Sequence, residues 1–215
     1  METGLMSDPD ETLLTGSSLL SFHNIDACLR QDIISCLQHA RLVADDQHSP
    51  QRAWHLWLDV YQRSIVANGG LRSARGNDVR LNIHSFRDIG KLRFPVVDNA
   101  VELRRLYHRS LDTLLASDHA KTFFSSWFTS GRSESFQLMP CVMHNKDEAT
   151  ILLCSLQMTT TALRPAFYFW QILGGEMRVH AISAAFRFSR QSFEPFRQTV
   201  QDSLADRARA EIISL

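Results

Sequence analysis

No apolar run in this chain approaches the roughly 20 residues that a membrane-spanning helix needs; the longest, around Ile151 and Phe167, are strand-sized. The N-terminus, METGLMSDPDETLLTG, has neither a basic leader region nor an apolar core, so a secretory signal is not expected. With neither feature, the expected location is the cytoplasm, leaderless export being the other route. Lysine is scarce: 23 residues are Lys or Arg, and only Lys91, Lys121 and Lys146 are lysines. A GC-rich coding sequence accounts for this, or arginine serves bidentate contacts at an interface. Net charge is absent too, at a formal value of +0, so no global field draws in nucleic acid or an anionic surface.

Metal and cofactor signatures are also lacking. There is no His-Glu-x-x-His helix and no Cys-x-x-Cys pair. Cys141 and His144 stand three apart on a strand-like run, where side chains face opposite ways. Asp45, Asp46, His48 and His55 cluster at a helix junction and read as a polar turn in preference to an ion site. The segment from Gly69 to Gly76 has the glycines of a phosphate loop without its lysine, and reads as a solvated loop. Gly131-Arg132-Ser133 lacks the second glycine of a nucleophile elbow. No catalytic, cofactor-binding or metal residue is therefore assigned, and an enzyme, its site assembled from distant residues, ranks third among the function classes.

Four cysteines, Cys28, Cys36, Cys141 and Cys154, lack the spacing of a disulfide framework and read as buried free thiols. A turn near Asp147 would set Cys141 and Cys154 close on neighbouring strands, within disulfide reach in the right register.

What is present is an ordinary globular composition, 44% hydrophobic and 21% charged. Charge is unevenly placed. Residues 1–26 carry Glu2, Asp8, Asp10, Glu11 and Asp26 without a cation, whereas 71–93 carry Arg72, Arg75, Arg80, Arg87, Lys91 and Arg93 against Asp78 and Asp88. The spacing predicts an acidic arm over 1–22, mobile or docked, and a single α+β domain over 23–215, helical to 130 and then a sheet with a C-terminal helix. Asn24 caps a helix with apolar positions from Ile25 to Val43; Ser49-Pro50 starts a second, which ends at Asn68-Gly69-Gly70. So short a connection implies a helical hairpin that buries Trp54 and Trp57. Residues 71–78 read as a loop and 79–83 as an edge strand. Asp98 caps a third helix, and Phe123, Phe124, Trp127 and Phe128 lie on a fourth.

Runs over 134–144, 148–161, 166–173 and 177–189 are aromatic and β-branched, with short turns between them. They predict an antiparallel meander of four to five strands, apolar on both faces and covered by helices. A last helix spans 193–213, with Phe196, Val200, Leu204, Ala208 and Ile212 in one stripe.

The segments IDACLRQD at 25–32, WHLWLDVY at 54–61 and LQMT at 156–159, with the closing helix, resemble a bacterial family of about 200 residues, from which no activity carries over. A meander between helical layers is similar in fold to the Cyt-type cytolytic toxins. Two function classes follow. The first is a non-enzymatic interaction or self-assembly protein, its partner another copy or another protein and not nucleic acid. The second is a membrane-acting toxin or effector made in soluble form.

Overall fold

The computed structural model describes residues 11–93, 95, 97–118, 134–160, 166–168, 171–173, 177–205 and 212–214. Its frame is a seven-stranded sheet in the order β3-β8-β5-β4-β2-β1-β9. These are β1 Glu11–Thr15, β2 Ser18–His23, β3 Leu71–Ile83, β4 Glu134–Met143, β5 Glu148–Thr160, β8 Met177–Ser189 and β9 Ile212–Ser214. Every pairing is antiparallel except β2 with β4.

Two-sided apolar strands explain why both faces are covered. On β5, Ile151 and Leu153 enter one core with Met139, Cys141, Ala184, Phe186 and Phe188. Cys154, Leu156 and Met158 enter a second core on the other face, with Phe136, Leu138 and Val179. The first core is roofed by α1 Ala27–Gln47, α2 Trp54–Ala67 and α5 Arg197–Ala205. The second is roofed by α3 Ala100–Ala116 and the 3-10 turn Phe86–Lys91. The α+β class and the helical hairpin are as the sequence implies.

Several boundaries differ, each for a local reason. Residues 11–22 are not an arm: β1 and β2 form a hairpin over Gly16 and lie inside the sheet. Leu13, Leu20 and Phe22 serve the first core, Leu14 and Leu19 the second, so four leucines that looked scattered supply both faces of two strands. The α1 cap is Asp26, whose Oδ1 accepts from the Cys28 and Leu29 amides at 3.0 and 3.2 Å. Asn24 instead turns the chain at φ 56°. Helix α2 starts at Trp54, after Ser49-Pro50 has been spent on a separate turn. Asn99, not Asp98, precedes α3, and its side-chain amide donates to Met143 O at 2.7 Å.

Residues 71–78 are strand: β3 runs unbroken from Leu71 to Ile83, with register shifts at Arg72/Ala74 and Arg75/Asp78. Gly76 lies in the second shift, where a Cβ would stand 2.8 Å from Ser183 O. The glycine that marked a loop is a bulge glycine. The meander is also interrupted. The run at 166–173 forms β6 Ala166–Tyr168 and β7 Gln171–Leu173, a two-stranded sheet of their own, so β5 pairs directly with β8. The closing helix breaks at Glu194-Pro195 into α4 Arg190–Phe193, a 3-10 turn and α5, and Ile212 belongs to β9, paired with β1. The aromatic segment at 119–128 and Ser133 lie outside the described residues.

Candidate interaction surface

Strand β3 forms one edge of the sheet, and among the described residues no strand pairs with its outer side. Its register places Arg72 opposite Phe186, Arg75 opposite Ala184, Asp78 opposite Ile182 and Arg80 opposite His180. Ala184 and Phe186 belong to the helical-hairpin face, so these β3 residues share that face. Three exposed arginines therefore line one rim of the molecule. Arg72 lies over the Phe186 ring and donates to Gln62 Oε1 at 2.8 Å. Asp78, the one acid in the row, accepts from His180 Nε2 at 2.5 Å.

Bulges and charged side chains are how exposed edges resist indiscriminate strand addition. An edge of this kind presents side-chain charge to solvent. It does not offer a clean backbone ladder.

The acidic counterpart lies far away. Glu11 and Asp26 flank the β1–β2 hairpin, five strand intervals from β3 and so about 24 Å across the sheet. Both are already engaged within the chain: Glu11 with Arg30, and Asp26 with Arg190 at 2.5 Å.

Next to the rim, where the roof of α2 ends, lies an open groove of about 420 Å³ lined by residues of β3, β5 and β8. Trp54 packs against His180, one of the residues that line it. Its indole donates to Ser155 Oγ at 3.1 Å and its ring meets His180 edge-on at 5.0 Å between centroids. His55 lies 4.9 Å from both rings.

The residues weighed for chemistry are dispersed. Asp45 accepts from the Trp57 indole at 2.7 Å and so ties α1 to α2, while His55 faces Trp54 and His180. Among the described residues no group of three potential ligands could hold a metal. His144 approaches Asp98 at 3.9 Å, and Cys141 points into the first core. Cys154 pairs in register with Leu138 and points into the second core, so Cys141 and Cys154 lie on opposite faces of the sheet and no disulfide joins them. Burial pushes the thiols of Cys36 and Cys154 up to about 12 and that of Cys141 higher still. None is a nucleophile at neutral pH. Cys28, expected inside, is exposed on the first turn of α1.

The groove escaped sequence reading. Its floor joins β3 to strands 75 or more residues later in sequence, and only a change from polar to apolar along one face of β8 hinted at it: Arg178 and His180, then Ile182, Ala184 and Phe186.

No protein-family model matches the sequence, and no curated protein does. Among solved structures the chain is similar to the Evf virulence factor, at 12% identity over 90% of this chain and 82% of that one, with a TM-score of 0.41. It is also similar to a delta-endotoxin, at 10% identity over 88% of each chain, with a TM-score of 0.35. Likeness at this level says nothing about activity. Among the described residues, no helix is long and apolar enough to cross a membrane.

Proposed function

We propose that this is a self-assembling interaction protein in which the arginine rim of β3 on one copy receives the acidic N-terminal segment of another. The carrying observation is the separation of opposite charges within one chain. Asp8 and Asp10 are at most three residues from Glu11, a span of about 11 Å even when fully extended. The rim is about 24 Å from β1. These acids cannot satisfy their own rim, and a second copy can supply what the first cannot reach.

The expected strength is modest. Exposed ion pairs contribute about 0.2–1 kcal/mol each, so three or four together give at most about 4 kcal/mol, a dissociation constant near 1 mM. Such an association is visible at high protein concentration and weakens with salt. The membrane-acting reading has no observation in this structure that favours it.

Light scattering on the full chain, against a variant lacking residues 1–10, tests the proposal. Mass should rise with concentration in dilute buffer, fall back in 0.5 M salt, and stay monomeric in the variant. Constant monomer mass for the full chain at all concentrations overturns it. Deletion must stop before Glu11, because residues beyond it are strands of the sheet.

A further inference from the structure

The groove beside the rim has a chemistry of its own. Two cross-strand rows make its floor: Arg80, His180 and Gln157 in one, Asn82, Arg178 and Thr159 in the next. The same face further along β8 and β5 is Phe186, Ala184 and Leu153, packed under α1 and α2. Where the roof ends at Trp54 the face turns polar, and hydrogen-bond donors predominate.

Arg80 and Arg178 are diagonal neighbours across β3 and β8, an arrangement that brings side chains to about 7–8 Å. Neither has a carboxylate or hydrogen-bond partner among the described residues. The acid nearest in register, Asp78, is already held by His180 at 2.5 Å. Like charges set side by side with no counter-ion are destabilising unless something negative sits between them. Guanidinium groups match phosphate oxygens two at a time, and the side-chain amides of Asn82 and Gln157 and the Thr159 hydroxyl add neutral donors. A volume of about 420 Å³ falls within the range of small-molecule sites.

We propose that this groove binds a phosphate or phosphate monoester, held between Arg80 and Arg178 over the Gln157 and Asn82 amides. Arg80 is the one residue that the site shares with the rim; the self-assembly test uses Arg72, Arg75 and the N-terminal segment, so the two proposals can fail separately. Openness to solvent limits affinity to the millimolar range for inorganic phosphate.

The test is a phosphate titration of the full chain at micromolar concentration, followed by NMR of the His180 ring and the Asn82 and Gln157 side-chain amides. Saturable shifts are expected with phosphate and not with chloride at matched ionic strength. Arg178→Gln and Arg80→Gln should each weaken binding about tenfold, and Arg104→Gln on α3 should leave it unchanged. Two groove variants guard against one failing to fold. Absence of a saturable shift, or equal affinity in both groove variants and the wild type, overturns the site. Co-sedimentation with phosphatidylcholine vesicles containing phosphatidic acid, lost in Arg178→Gln, assigns the phosphate to a lipid headgroup. Phosphate binding without such co-sedimentation assigns it to a soluble ester.

Discussion

Single side chains carry much of the attachment between layers. Asp32 on α1 grips Arg197 on α5 with both oxygens, at 3.0 Å to Nε and 2.7 Å to Nη2. The hydrogen bond to Asp32 also holds the Arg197 guanidinium proton more tightly than usual. With Asp32 buried and Arg197 about one-quarter exposed, Asp32→Ala should cost about 2 kcal/mol, read as a lower urea midpoint. An unchanged midpoint would show that α5 is held by its apolar stripe alone. The thiols make a second residue-scale test. A thiol reagent should modify only Cys28 quickly among the four cysteines, with Cys36, Cys141 and Cys154 reacting on unfolding. Fast labelling of two or more in the native protein contradicts the burial pattern.

His39 gives the pH dependence its sign. Burial lowers its pKa from the ordinary 6.5, and Asn68 Nδ2 donates to its Nδ1 at 3.1 Å, which suits the neutral ring. Below pH 6.5 the unfolded chain takes up this proton while the folded one resists. Stability is therefore full above that value and declines as pH falls towards the lower folded pKa. In His39→Gln, the fall in melting temperature between pH 7 and 5 should be shallower than in the wild type. An equal fall would remove His39 from the account.

At the scale of elements, junctions decide the fold more than the elements themselves. Helix α2 ends at Asn68, and Gly69 follows at φ 92°, where a Cβ would lie 2.2 Å from Ser192 O in α4. Both the conformation and the contact require glycine. Gly69→Ala should lower stability by about 2 kcal/mol or more in denaturant titration, and a loss under about 0.5 kcal/mol would mean that α4 simply moves aside. Elements with one dominant period were legible: the apolar stripe of α1, the hairpin burying Trp54 and Trp57, and the two-faced β5. What hid the rest was competition between local and distant signals. Arg-Ser-Ala-Arg-Gly-Asn-Asp at 72–78 has the composition of a loop, yet β8 pairs with ten residues of β3, Arg72, Ala74, Arg75 and Asp78 among them. Leu13 to Leu20 looks too short and polar to stand alone, and it becomes sheet because β4, more than a hundred residues later, lies parallel beside β2. A parallel pair at that separation leaves no local mark. The groove was invisible for the same reason, since Arg80 and Arg178 meet only through the β3–β8 register.

For the whole molecule, the decisive property is where opposite charges end up once the sheet is assembled. Strand order sets the arginine rim at one edge and the acidic hairpin near the other, with Glu11 and Asp26 neutralised locally by Arg30 and Arg190. The proposed assembly sets Glu2, Asp8 and Asp10 of one copy against Arg72, Arg75 and Arg80 of another. A contact of this proposed kind is head-to-tail, and such contacts form chains unless the rotation closes a ring.

Sedimentation velocity on a charge-swap pair reads this arrangement most directly, with one variant carrying Arg72→Glu and Arg75→Glu and the other Glu2→Lys, Asp8→Lys and Asp10→Lys. Each variant alone should sediment as a monomer in dilute buffer at a concentration where the wild type associates, and mixing the two should restore association, since each then meets both a native and a reversed partner surface. Monomers in the mixture, or association unchanged in either variant alone, would contradict assembly through these charges.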